Sequence, residues 1–111
     1  MSDSSPTARV VLTTAADPDE ADRLARTLVD ERLVACVTLI PSVRSVYRWQ
    51  GEVESSTETL LLMKTSVEQL SALQTRLLAL HSYKTPEFLV LWVDAGSQAY
   101  LDWLQSSLRK P

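Results

Sequence analysis

Residues 34–65 constrain the fold more than any other part of this chain. They read as two long strands joined at Gln50-Gly51-Glu52, where Gly51 supplies the backbone freedom a tight hairpin turn needs. Residues 33–40 are an apolar, β-rich run that ends at Pro41, and a proline has no N–H for a ladder, so it marks a break or an edge. Beyond it Val43, Ser45, Tyr47 and Trp49 alternate with Arg44, Val46, Arg48 and Gln50, the two faces of a strand. The return strand, residues 53–65, starts polar and is continuously apolar over residues 60–63. Residues 34–50 would reach ~55 Å if fully extended at ~3.3 Å each, whereas a compact domain of this size has a radius of gyration of only ~13 Å. The hairpin must bend at Pro41 and project past its own subunit, and an overhanging arm bearing Tyr47 and Trp49 predicts a partner chain.

The flanking segments supply the rest of the architecture. Residues 9–14, RVVLTT, are a β-branched run suited to a buried first strand. Asp17-Pro18-Asp19-Glu20 opens a helix, with Asp17 as cap and Pro18 at the first turn. Ala21, Leu24, Ala25, Leu28 and Val29 then mark its apolar face. A second helix is expected from Ser66, with Gln69 as capping-box partner and Leu70, Leu73, Leu77 and Leu80 as its stripe. Residues 87–94 read as a fourth strand, and Leu101, Leu104 and Leu108 share a face of a last helix. The order is that of an α+β, ferredoxin-like βαββαβ sandwich with a long projecting hairpin and a C-terminal helix. Residues 1–8 are expected to be a disordered tail, and residues 9–111 one domain.

Composition narrows the function classes. A net charge of −3 argues against a nucleic-acid binder working through a general basic field. The longest apolar stretch falls far short of the ~20 residues of a membrane helix, which predicts no membrane partner. One cysteine cannot close an internal disulfide, and residues 1–7, MSDSSPT, lack the basic and apolar regions of a signal peptide. Both point to the cytoplasm.

Six stretches carry a family resemblance: VVLTTA, LVACVTLIP, SVYRWQGEVE, LLLMKT, TPEFLVLWV and AYLDWL. Together, from residue 10 to residue 108, they resemble the CutA divalent-cation tolerance family in order and spacing. The resemblance implies a homotrimer associated with tolerance to copper and other divalent ions, with no known reaction. The family's trimer is similar to the signal-transducing PII proteins, which suggests binding or sensing.

His81 and Cys36 are the candidate metal ligands. Neutral imidazole suits copper, but a lone histidine also reads as a hydrogen-bonding loop residue. The family's proposed copper ligands are a first-strand cysteine, where this chain has Thr13, and a histidine pair, where it has Leu80 beside His81. One surviving ligand predicts weak copper(II) binding and no required cofactor. Cys36 ranks behind His81, reading as a small buried hydrophobe with no lysine or arginine within two residues to activate it. The resemblance places Tyr47, Arg48, Trp49, Lys64, Tyr83 and Glu87 around a cleft between subunits. They are either a small-ligand site or interface residues. Glu52, Glu54 and Glu58 read as one solvated hairpin face, since calcium needs more oxygen ligands than they supply. No catalytic constellation is legible. The expectation is a cytoplasmic homotrimer serving divalent-metal (copper) tolerance, not an enzyme. The alternatives are a PII-like metabolite sensor and an enzyme of unassigned reaction; acylphosphatase chemistry would need a phosphate-cradling loop near the first strand, where residues 13–17 are acidic and glycine-free.

Overall fold

Four strands and three helices follow the expected order in the computed structural model, which describes residues 6–110. They are β1 (Ala8–Ala15), α1 (Pro18–Asp30), β2 (Cys36–Trp49), β3 (Glu52–Ser66), α2 (Leu70–Leu80), β4 (Leu89–Trp92) and α3 (Gln98–Ser106). All pairings are antiparallel and the sheet order is β2-β3-β1-β4, the ferredoxin-like arrangement. Residues 1–5 of the expected tail lie outside the described residues. Its last residue, Ala8, belongs to β1 and pairs with Ser66, while the Thr7 carbonyl accepts from the Val67 amide.

Helix starts show which local signals act. The Asp17 carboxylate accepts from the Glu20 amide at 2.8 Å, capping α1 as its sequence requires. Ala21, Leu24, Ala25 and Leu28 are buried, whereas Val29, at the margin of the stripe, is exposed. The capping box expected at Ser66 does not form. The Ser66 hydroxyl donates to the Glu68 carboxylate, and the Gln69 amide reaches the Arg109 carbonyl. Residues Val67–Gln69 make a 3₁₀ turn instead, from which α2 runs on. Tertiary pairing has outcompeted a local cap.

The two long helices cover one face of the sheet. Leu24 and Leu28 from α1 and Leu73 and Leu77 from α2 pack on Val11, Leu61 and Met63. A smaller cluster seats Leu104 and Leu108 of the C-terminal segment on Ala8 and Ala35.

β2 does not stop at Pro41. Ile40 pairs with Leu60 and Val43 with Glu58, so Pro41 and Ser42 together face Thr59. This is a one-residue bulge, with Ser42 at φ +60°, on an edge strand where a missing donor is tolerated. The bulge exchanges side-chain parity. Cys36, Thr38 and Ile40 share a face with Val43, Ser45, Tyr47 and Trp49 beyond it. Gln50 (φ +50°) and Gly51 (φ +84°) close the arm as the two-residue turn that suits the twist of antiparallel strands. The arm lengthens the molecule to 51 Å along its major axis and raises the radius of gyration to 15.0 Å, above the ~13 Å of a compact domain.

The second sheet face is apolar and largely uncovered. By register Val10, Leu12, Ile40, Leu60, Leu62, Leu89 and Leu91 share it, and Leu89 and Leu91 are 55% and 49% exposed. β4, four residues rather than the expected eight, has no partner on its outer edge among the described residues.

Chemical denaturation should rank two variants of the helix layer. Asp17→Ala, removing the cap, should cost about 1 kcal/mol. Leu77→Ala, opening a cavity against the sheet, should cost about 2–5 kcal/mol.

Candidate functional site

The arm's root is where titratable side chains converge. The loop after α2 brings His81, Ser82 and Tyr83 against three other elements. The His81 Nε2 lies 2.7 Å from the Thr14 carbonyl oxygen of β1. A carbonyl only accepts, so Nε2 carries the proton and donates. Nδ1 is then the bare nitrogen, and it accepts the Tyr83 amide at 3.0 Å. The ring is buried, 4.7 Å from the Tyr83 ring. Ser82 donates through its amide and its hydroxyl to the two Glu20 oxygens at 2.8 and 2.9 Å. The Tyr83 hydroxyl donates to Glu58 of β3 at 2.6 Å. One short loop thus ties α1, β1 and β3 together.

The charges in this cluster are held by hydrogen bonds. Burial pushes Glu58 up, but the hydroxyls of Ser45, Tyr83 and Thr14 outweigh it and keep the carboxyl below its ordinary range. Burial likewise works against Glu20, and the Ser82 hydroxyl and amide overcome it. Tyr83 moves the opposite way. Burial, the bond to Glu58 and the surrounding carboxylates raise its phenol far above the usual value. Glu58 therefore corrects the sequence reading: it is buried, not part of a solvated face. Its signal was parity, since it stands two residues before Leu60 on the uncovered face. Glu20 read only as a helix-start acid, and nothing local foretold its bond to Ser82.

A second group lies at the other end of the same face. Lys64 stands opposite Cys36 in the β2–β3 register, with its Nζ 3.5 Å from Sγ and 2.6 Å from the Thr38 hydroxyl. The Tyr100 hydroxyl is 3.8 Å from Sγ on the other side. That bond, then burial, raises the Tyr100 phenol. The lysine that sequence neighbours did not supply arrives across the ladder.

The expected site residues therefore fall into separate places. Tyr47 lies on the face shared with Glu58, whose carboxylate accepts from the Tyr83 hydroxyl. Lys64 is six residues further along β3, about 20 Å away. Trp49 is 52% exposed near the tip, where Arg48 donates to the Gly51 carbonyl at 3.1 Å. Glu87 is exposed in the loop before β4. A shallow pocket lined by Glu20, Arg23 and Leu80 and an open groove along α2 lined by Gln69, Arg76 and Arg109 take none of the cleft residues into their walls.

The residues do not assemble a metal centre within one chain. Among the described residues no three histidine, cysteine, aspartate or glutamate side chains are placed to hold a metal ion. The bare nitrogen of His81 is committed to the Tyr83 amide, and Cys36 faces a lysine. Within the subunit both ring nitrogens of His81 are engaged, by Thr14 and by Tyr83.

Comparison with known proteins places this geometry. Residues 9–107 match the family model described as CutA1 divalent ion tolerance protein. The divalent-cation tolerance protein CutA of Pectobacterium atrosepticum is 48% identical, over 90% of this chain and 91% of its own length. That of Thermus thermophilus is 45% identical over 88% and 95%. Among solved structures, CutA1 from Oryza sativa superposes with a TM-score of 0.93 at 36% identity, covering 98% of this chain and 100% of that one. The solved divalent cation tolerance protein of Thermus thermophilus gives 0.90 at 43% identity, covering 92% and 99%.

Acid should unmake the cluster in a defined direction. With folded values below the ordinary 4.5, Glu20 and Glu58 contribute their full stability above that pH and lose it as the pH falls through the depressed values. Melting temperature recorded from pH 7 to pH 3 should be level and then drop, and Glu58→Gln should shallow the drop. Tyr83→Phe should cost about 1–3 kcal/mol at neutral pH by leaving Glu58 short of a donor.

Proposed function

The chain belongs to the CutA1 divalent ion tolerance family, and from that premise we propose that it works as a cytoplasmic homotrimer in the response to divalent metal ions, copper among them, by binding or sensing rather than by catalysis. The observation that carries the assembly is the uncovered apolar sheet face together with the overhanging arm. At roughly 25 cal/mol per Å² of buried apolar surface, sheltering these leucines is a strong drive to associate. An arm that reaches onto a neighbour makes a contact between unlike surfaces, which passed head to tail from subunit to subunit closes a ring, and the family resemblance makes that ring one of three. The free edge of β4 is a natural strand for a neighbour's arm.

In that ring Tyr47, Arg48, Trp49, Lys64, Tyr83 and Glu87 lie where one subunit's arm meets the next. Lys64 and Tyr83, about 20 Å apart in one chain, meet only across subunits. A cleft of that kind would also suit the second reading, a PII-like sensor of a small metabolite, with the Tyr47 and Tyr83 rings as its platform.

Metal in this reading is cargo or signal rather than a resident cofactor. Copper(II) favours several nitrogen or oxygen donors, and this chain offers no free imidazole among its described residues. Direct copper binding is accordingly weak.

Light scattering at micromolar concentration should give a mass near three times 12.4 kDa. Leu91→Asp, on the exposed face of β4, should yield folded monomer; a monomeric wild type would overturn the assembly. Calorimetry should find copper(II) binding displaced by ordinary chelating buffers. A tight stoichiometric site that survives His81→Ala would overturn that and point to Cys36.

A further inference from the structure

The face that the helices leave bare has a charge polarity along β3. Glu54, Glu58, Leu60, Leu62 and Lys64 stand on one side of that strand, acidic towards the arm's tip, apolar in the middle and cationic at the far end. Among the described residues Lys64 is the one cation that the strands set on this face. Its ammonium has three N–H donors. Thr38 and Cys36 take two of them, at 2.6 and 3.5 Å, and no carboxylate among the described residues lies within ion-pair distance. Covering the bare face would take that ammonium out of water, which is costly unless a carboxylate meets it. Glu54 and Lys64 are ten residues apart on one strand, roughly 33 Å, and cannot pair within a chain. We infer that they pair between chains: the arm lays its Tyr47 and Trp49 edge on a second copy's bare face and sets Glu54 on that copy's Lys64. The inference rests on the ring assembly proposed above and names the contact that fixes its register.

Glu54 is singled out by its surroundings. Tyr47 stands directly across the ladder from it and Trp49 on the diagonal, so two rings flank the carboxylate. Rings in that position exclude water from an ion pair and strengthen it. Glu52 borders the turn at the tip, beyond the rings. Glu58 is held by hydroxyls, and Glu20, Glu31 and Glu68 are engaged by Ser82, Arg76 and Ser66 of their own chain. Glu54 is exposed and has no ion-pair partner among the described residues. In a ring each subunit offers its acidic arm to one neighbour and its Lys64 to the other, so the contact repeats with no charge left over.

Charge reversal tests the pair. Light scattering in moderate guanidinium gives the concentration at which half the protein is monomeric. Glu54→Lys or Lys64→Glu alone should raise it by about tenfold or more, and the two together should restore most of the loss. Single reversals without effect, or losses that simply add in the double variant, would overturn the pair. Cross-linking reads the same contact in a protein that keeps Lys64. Glu54→Cys adds a second thiol, and Cys36 lies beside Lys64, so a short bismaleimide should link neighbouring subunits into covalent dimers and trimers on a denaturing gel. The links should vanish when Cys36→Ser is added. Within one chain the two thiols are roughly 33 Å apart, beyond its reach. A trimeric Glu54→Cys protein whose subunits stay unlinked would overturn the contact and leave the assembly standing, whereas a monomeric wild type would overturn both.

Discussion

A sheet with two faces and helices enough for one is the constraint from which the rest of this structure follows. α1 and α2 bury Val11, Leu61 and Met63 on their side, while Leu12, Leu62, Leu89 and Leu91 line the side they leave bare. The subunit is stable in its helix layer and incomplete in its sheet. The bare face, the free edge of β4 and the arm are three expressions of that deficit, and the proposed assembly would satisfy all of them.

Polar chemistry is concentrated where the arm leaves the sheet. A ladder alone would let a two-stranded ribbon swing about its base, since isolated hairpins are marginal. The loop holding His81, Ser82 and Tyr83 removes that freedom by bonding to α1, β1 and β3 at once. Lys64, Cys36 and Tyr100 fix the opposite end of the same face against α3. Between these two polar ends the face is apolar, so a neighbour docking there meets a greasy centre with hydrogen-bonding margins.

Element order, the α1 cap, the position of the hairpin turn and the projection of the arm were legible because each is written in local pattern or in chain length. Asp17 acts through residues three positions away, and Gly51 through its own dihedrals. What was not legible depended on register. Whether Glu58 is solvated or buried, and whether Cys36 has a lysine beside it, is settled by which residue lies across the ladder, and that is set far along the chain. The failed capping box has the same origin: Gln69 is taken by Arg109, 40 residues away. The sequence reads His81 both as a loop hydrogen-bonder and as a ligand, and the partners of its two ring nitrogens, Thr14 and Tyr83, come from positions that local pattern does not specify.

The bulge at Pro41 and Ser42 has a further consequence for how such an arm can change over evolutionary time. It adds one residue to β2 and none to β3, so the ribbon beyond it runs half a pleat out of step with the ribbon before it. Removing that residue would send Tyr47 and Trp49 to the opposite side and bring Arg44 and Arg48 round in their place. Insertions or deletions between the bulge and Tyr47 that keep the aromatic side where it is must therefore come two residues at a time and matched in both strands. Arm length is free to drift only in that paired currency.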